Sequence, residues 1–195
     1  AGVILMSGAE QANLLSNTTR TSGKDAVKKN IAAAVAVSDA IKSTLGPHGL
    51  DKMLVRSTGD AFVTNEGVTV LNEAQVEHPA AKMIIKSALN QNNIQSDGTT
   101  TTVLLIGELL QNAWELISKG IHPTTIIEGY KIAMNQTINH LEDISKNVDK
   151  KSDIVSIINT ALSGRGTNKM KKHISKLAIE SAEGVTKIKS DSISF

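Results

Sequence analysis

Asp97 and Gly98 stand directly before four consecutive threonines, Thr99–Thr102, and the apolar run "VLLIGELL" follows. Threonine is β-branched, and each copy costs roughly a few tenths of a kcal/mol or more relative to alanine inside a helix. Four of them at a helix start call for a compensating role. A helix start presents unpaired N–H groups and a partial positive charge, which suit a phosphate. The hydroxyls of Thr99, Thr100 and Thr101 add donors, and Gly98 lets a ligand approach the backbone closely. An acid at Asp97 repels a bare phosphate. It belongs beside one only when a hard cation such as Mg2+ lies between them. The stretch therefore fits a magnesium–phosphate site. On the local pattern alone a plainer account also holds, and it is the simpler one: Asp97 is an N-cap, and the threonines cap and pack in the first turn.

Two further stretches have the makings of a ligand loop. "TLGPHGLDKML", Thr44 to Leu54, is a helix end opening into a glycine-flanked loop that contains Leu45, Gly46 and Pro47. "TNEGVTVL", Thr64 to Leu71, is a tight turn that carries an acid, Glu66. Taken singly, the first is an ordinary Gly-Pro helix stop and the second a hairpin turn with an exposed acid. Neither is a Walker-type loop.

The elements that must position these residues are mostly helices. Ser22 can cap a helix over Gly23–Leu45, with apolar residues at Val27, Ile31, Ala34, Val35, Ile41 and Leu45. Gly46 and Pro47 end it. Two short β-type runs follow, Met53–Val55 and Ala61–Thr64, joined by "RSTGD", and a third, Val68–Leu71, comes after "NEG". "HP" occurs at His78–Pro79 and at His122–Pro123, each with proline in a first helical turn. These helices are expected to reach about Asn92 and about Ser145, and the Thr99–Lys119 helix lies between them. The composition turns polar and charged at "KNVDKKSD", Lys146 to Asp153, which is the expected domain boundary. Beyond it lie two amphipathic stretches, Ile154–Leu162 and Met170–Val185, separated by "SGRGTN", and then a strand start, "SISF". The apolar opening "VILM" reads as a strand without a partner of its own. No fixed-period repeat supports a solenoid.

Composition narrows the classes. The chain has 195 residues, 40% hydrophobic and only 2% aromatic, with a formal net charge of +2. A core of that make-up must be built from Ala, Ile, Val and Leu. The near-neutral balance gives no push toward nucleic acid or a membrane surface. The cluster Lys169, Lys171, Lys172 and Lys176 lacks interleaved aromatics and reads as a solvated helix face. The absence of cysteine excludes disulfides and thiol catalysis within this chain and fits a reducing compartment. No apolar run approaches the roughly 20 residues of a membrane span, and "AGVILMSGAE" lacks the basic lead of a signal peptide.

Together the blocks "LGPHGLDKML", "VTNEGVTVL", "SDGTTTTVLL" and "HPTTIIEGY", in this order and at these spacings, resemble a group II chaperonin subunit of the thermosome, or archaeal and eukaryotic cytosolic, type. The resemblance implies a mainly α fold. Residues 1–145 would be the N-terminal half of an equatorial ATP-binding domain with a small β-hairpin. Residues 146–195 would be the first segment of an intermediate domain, with the apical domain and the C-terminal halves absent. It implies ATP or ADP with Mg2+ as cofactors. Leu45, Gly46 and Pro47 would wrap the nucleotide phosphates, Asp97 would bind Mg2+, and Gly98, Thr99, Thr100 and Thr101 would bind phosphate oxygens. Glu66 would lie near the γ-phosphate and the attacking water as the catalytic acid residue. The "TALSGR" segment would be the loop that senses the γ-phosphate, with Arg165 as its cation. The partners implied are other subunits in a cytoplasmic double ring and non-native proteins, with no nucleic acid and no membrane.

The sequence also departs from the family pattern. "SDGTT" replaces "GDGTT", so Ser96 occupies a position with glycine freedom. The acidic pair before this loop is replaced by "QNNIQ". Glu66 stands for an aspartate and adds one methylene, His48 stands where a lysine is common, and Arg165 replaces a lysine. A carboxylate misplaced by about 1 Å can cost roughly 100-fold in rate. These departures weigh against efficient hydrolysis more than against nucleotide binding, and they leave a structural or nucleotide-sensing ring subunit as the alternative function.

Overall fold

The computed structural model describes residues 21–148, 150–163 and 169–188. Among these, seven helices and one two-stranded sheet follow one another. They are α1 (Gly23–Lys42), β1 (Lys52–Val55), β2 (Ala61–Thr64), α2 (Gly67–Glu73), α3 (Pro79–Gln95), α4 (Thr99–Ser118), α5 (Pro123–Ile144), α6 (Lys151–Ala161) and α7 (Lys171–Ile188). The expected strands "VILM" and "SISF" lie outside the described residues.

The core is small-residue packing, as the scarcity of aromatics requires. Val37 and Ile41 of α1, Val70 and Leu71 of α2, Ala81 and Ala88 of α3, and Val103 of α4 form one buried cluster. Ile41 and Val103 are its largest fully buried side chains. Each contributes roughly 1.5–3 kcal/mol relative to leaving it in water. Helices α1 and α4 approach closely because Gly107 has no side chain: a Cβ there would collide with Ser38, itself buried.

The helix starts follow local chemistry. At both "HP" sites the histidine is the N-cap and the proline opens the helix. His78 Nδ1 accepts from the Ala80 N–H at 3.2 Å, and His122 Nδ1 accepts from the Thr124 N–H at 3.3 Å. At the start of α1, Ser22 is the N-cap by position, but its side chain makes no capping hydrogen bond. Helix α1 also ends at Lys42, three residues before the expected Leu45, because Thr44 folds back and donates its hydroxyl to Ile41 O at 2.8 Å. Helix α3 runs past Asn92 to Gln95.

The hairpin pairs antiparallel, with Lys52 opposite Thr64 and Val55 opposite Ala61. The third expected strand is not one. Val68–Leu71 lies inside α2, whose Val70 and Leu71 are buried. "VTVL" has β-forming residues, but the helical turn lets Val70 and Leu71 enter the core side by side, and tertiary burial overrides propensity. Helix α5 joins the bundle at its first turns, where Ile126 is buried and Tyr130 OH donates to Leu109 O at 2.6 Å. Helices α6 and α7 pair with each other. Ser175 Oγ lies 2.8 Å from Asn159 Oδ1, and Lys171 Nζ donates to Ser163 Oγ at 2.7 Å.

The α1–α4 crossing yields a stability test. Gly107→Ala gains helix propensity but overpacks a buried contact, for a net loss of about 1–2 kcal/mol in denaturant unfolding. Combined with Ser38→Gly, the two losses should be clearly less than additive, because the second change removes the atoms that collide.

Candidate functional site

Three turns, two of them with left-handed backbone, converge on one face of the α1–α3–α4 bundle. The first follows α1. Gly46 adopts φ 84°, Gly49 N–H donates to Gly46 O at 3.0 Å, and Leu50 N–H donates to Ser43 O at 2.7 Å. Gly49 is required here because a Cβ would strike the Thr44 carbonyl oxygen. The second joins β2 to α2. Glu66 is the N-cap of α2 by position, not the middle of a hairpin turn, and its Oε2 accepts from the Thr69 hydroxyl at 2.8 Å. The third joins α3 to α4. Ser96 closes α3 at φ 55°, and Gly98 opens α4 at φ 78°.

The N-cap of α4 is therefore Gly98, and of the two accounts of Asp97 the plainer one, in which it caps the helix, is corrected. Asp97 instead folds its carboxylate onto its neighbour, with the Gly98 N–H donating to Oδ1 at 2.7 Å. Gln91 donates to the Asp97 carbonyl at 3.3 Å. The four threonines have four different surroundings. Thr99 is buried. Thr100 packs against buried Gly67, where a Cβ would meet its hydroxyl. Thr101 is exposed. Thr102 donates its hydroxyl back to Gly98 O at 2.9 Å.

These turns and α6 enclose a cavity of about 820 Å³. Leu45, Gly46, Pro47, Glu66, Asp97, Gly98, Thr99, Thr100 and Thr101 all line it, so the structure brings together every expected site residue that it describes. Arg165 lies outside the described residues. The opposite wall is made by Ser156, Ile157, Thr160, Ala161 and Ser163. Thr160, Ala161 and Ser163 belong to the expected "TALSGR" segment, whereas Ser156 and Ile157 were missed, since the four-residue spacing of Ser156 and Thr160 is too common to single out. Asn92, from "QNNIQ", also lines the cavity, as do Asn65 and Val68.

The charge of this lining is one-sided. Among the described lining residues, Glu66 and Asp97 are the only ionisable ones, with no Lys, Arg or His. No group of three or more His, Cys, Asp or Glu that could hold a metal ion occurs among the described residues. What the site offers is the start of α4 with its unpaired N–H groups, hydroxyls, and carboxylates at the rim. That donor set fits an anion accompanied by a hard cation that takes its remaining ligands from the anion and water.

Comparison with known proteins defines the class. The model of the TCP-1/cpn60 chaperonin family matches residues 37–194, and the chain belongs to that family. Among curated relatives, it is 48% identical over 174 residues to thermosome subunit alpha of Archaeoglobus fulgidus, covering 88% of this chain and 32% of the relative. It is 42% identical over 178 residues to thermosome subunit beta of Thermoplasma acidophilum, covering 90% and 33%. It is 42% identical over 182 residues to a thermosome subunit of Methanocaldococcus jannaschii, covering 92% and 34%. The chain thus spans about a third of the length of the curated relatives it matches. The seven helices and small hairpin are consistent with a chaperonin equatorial-type fold. No helix among the described residues is long and apolar enough to cross a membrane.

The backbone at Ser96 gives a direct test. A left-handed conformation costs a non-glycine residue roughly 1–2 kcal/mol, whereas glycine loses more chain entropy on folding. Ser96→Gly should therefore stabilise the protein by up to about 1 kcal/mol in chemical denaturation. A loss of stability would mean that the Ser96 side chain holds the loop.

Proposed function

We propose that this segment is the nucleotide-holding part of an ATP-dependent chaperonin subunit. The carrying observation is the cavity whose only described charges are the two acids Glu66 and Asp97, set against the N-terminus of α4. Acids beside a polyphosphate make sense when Mg2+ accompanies it, and Mg2+ would neutralise phosphate charge there. In this reading, Asp97 supplies the metal-binding carboxylate. Gly98, Thr99, Thr100 and Thr101 present N–H groups and hydroxyls to phosphate oxygens. Leu45, Gly46 and Pro47 close the loop around the phosphates. Glu66 stands on the rim as the residue that orients water, and Arg165 is the cation that reaches the terminal phosphate.

The same reading assigns residues 1–145 to the N-terminal half of an equatorial domain and residues 146–195 to the first segment of an intermediate domain. Its support is that α5 ends at Ile144 and that α6 pairs with α7 across its non-cavity face. The subunit would assemble with others into a cytoplasmic double ring and enclose non-native proteins.

Assembly has its own test. Met53, Val55 and Val63 expose 60–71% of their surface on the open hairpin. Strand addition by another subunit would cover that face. Met53→Lys with Val63→Lys should leave the subunit folded but shift particles toward free subunits in sedimentation. Intact rings from this variant would argue against a hairpin contact.

The nucleotide site is tested at Asp97. Asp97→Asn retains an oxygen for the Gly98 N–H and removes only the charge. Folding should be unchanged, while the Mg2+-dependent part of ATP affinity falls about tenfold or more and turnover is lost. Thr99→Val keeps the buried shape and removes one donor, so it should weaken ATP binding without unfolding α4. ATP titration with and without Mg2+, on the natural subunit, reads both. Wild-type Mg2+ dependence in Asp97→Asn would overturn the assignment. Mg2+-dependent binding without turnover in the unmodified subunit would favour the nucleotide-sensing role.

A further inference from the structure

Arg56 follows the last residue of β1 and reaches across to the last residue of α2. Its Nε donates to Glu73 Oε2 at 2.9 Å, and its Nη2 donates to Glu73 Oε1 at 2.5 Å. The guanidinium carbon also lies 4.9 Å from the centre of the Phe62 ring. Phe62 sits on β2, opposite Leu54. The guanidinium is therefore held in one plane by the ring and in one direction by both carboxylate oxygens. The Arg56 hydrogen bond keeps the Glu73 carboxyl below its ordinary value, against an opposing effect of burial. A carboxyl with a lowered value keeps its bond above the ordinary carboxylate range and loses it only as pH falls through the lowered value, so the pair is complete at neutral pH.

The position of this pair gives it a role. Strand β2 spans ~13 Å at the usual strand rise, and α2 spans ~10 Å at the usual helical rise. The two meet at Asn65 and Glu66, both of which line the cavity. Arg56 is fixed to the far end of β2, because Arg56 N–H donates to Asp60 O at 2.8 Å and Val55 pairs with Ala61. Glu73 is the far end of α2. The ion pair is thus the third side of a triangle whose opposite corner is Glu66. Helix α2 is anchored in the core by Val70 and Leu71, but the hairpin presents one apolar face to solvent. Leu54 of β1 packs against the same cluster, so without the third side the hairpin is held to α2 less firmly and the corner can shift.

We propose that the Arg56–Glu73 pair is a positioning device that fixes the direction of the Glu66 carboxylate at the cavity. It deepens the nucleotide reading and, for its effect on turnover, rests on it. Neither residue lines the cavity. Their effect passes through the corner: the Val70 N–H donates to Glu66 O at 3.0 Å, and the Thr69 hydroxyl holds the Glu66 carboxylate. Surface ion pairs in general contribute little to stability. The one expected here to matter is the one that spans a corner bearing a functional acid.

The test uses the natural subunit with Arg56→Ala, Arg56→Lys, Glu73→Gln and the exchanged pair Arg56→Glu with Glu73→Arg. Lys42→Ala is the control, since Lys42 makes an exposed ion pair with Glu108 at 2.9 Å that spans no such corner. Arg56→Ala and Glu73→Gln should each lower kcat for ATP roughly 10- to 100-fold, with KM changed less than about threefold. Lysine keeps the charge but not the two-point bond, so Arg56→Lys should fall between. The exchanged pair should regain most of the loss. Independently of nucleotide, the Val70 amide should exchange hydrogen about tenfold faster in Arg56→Ala, with the α1 amides unchanged. The proposal is overturned by an unchanged Val70 amide, by a kcat loss no larger than that of Lys42→Ala, or by failure of the exchanged pair to recover. If Arg56→Ala does not fold, Glu73→Gln, which keeps size and shape, carries both readouts. If the unmodified subunit shows no ATP turnover, the catalytic part of the nucleotide reading fails, and the Val70 exchange rate alone decides the role of the pair.

Discussion

The close crossing of α1 and α4 at Ser38 and Gly107 is the constraint on which the rest of the structure depends. A chain with 2% aromatic residues cannot fill wide gaps between helices. It must bring backbones together, and only glycine allows that at Gly107. Once α1 and α4 are held at this spacing, Val37, Ile41 and Val103 close the interior, and Ala81 and Ala88 let α3 lie against them. The end of α1 and the start of α4 then both open on one cavity. The site is a consequence of that crossing, and its loops add the detail.

The loops carry costs that the core must offset. Gly46 and Gly98 take left-handed conformations that glycine adopts freely, but Ser96 takes one as well. A serine there costs roughly 1–2 kcal/mol. Gly67 is buried against Thr100, so the start of α2 is seated directly on the start of α4. This contact brings Glu66 to the same cavity as Asp97. The two acids reach the cavity from different elements, each tied by one hydroxyl or backbone donor.

Much of this was legible in the sequence. The "HP" pairs gave the starts of α3 and α5 because proline at the first turn is local chemistry, although the histidine caps themselves went unread. The threonine run and the glycine loops were legible as candidate ligand contacts for the same reason. Val68–Leu71 was misread because its residues favour strands, and only burial of Val70 and Leu71 in a shared core decides for a helix. The plainer alternative, Asp97 as a cap, fails because its neighbour is a glycine that holds the cap position itself. The α6 wall was legible only in part: the "TALSGR" resemblance pointed to Thr160, Ala161 and Ser163, whereas Ser156 and Ile157 reach the cavity only through tertiary placement, and no spacing rule announces that. The Arg56–Glu73 pair was equally hidden, since 17 residues separate its members and the pairing exists only once the hairpin folds back on α2.

The two walls of the cavity are anchored unequally, and this bears on how a bound ligand acts. The α1, α2 and α4 side rests on the buried cluster, whereas α6 contains no buried residue. One side of α6 meets α7 through Asn159, and another presents Ser156, Ile157 and Thr160 to the cavity. A ligand that reaches both walls adds contacts that α6 otherwise lacks. A shorter ligand that touches only the α4 side adds none. Ligands shift a conformational equilibrium only by the difference in their interactions with its states. Under the proposed reading, the last phosphate of the nucleotide is the part that can make such a difference. The sensitivity of α6 to that phosphate then follows from how few other contacts fix the helix.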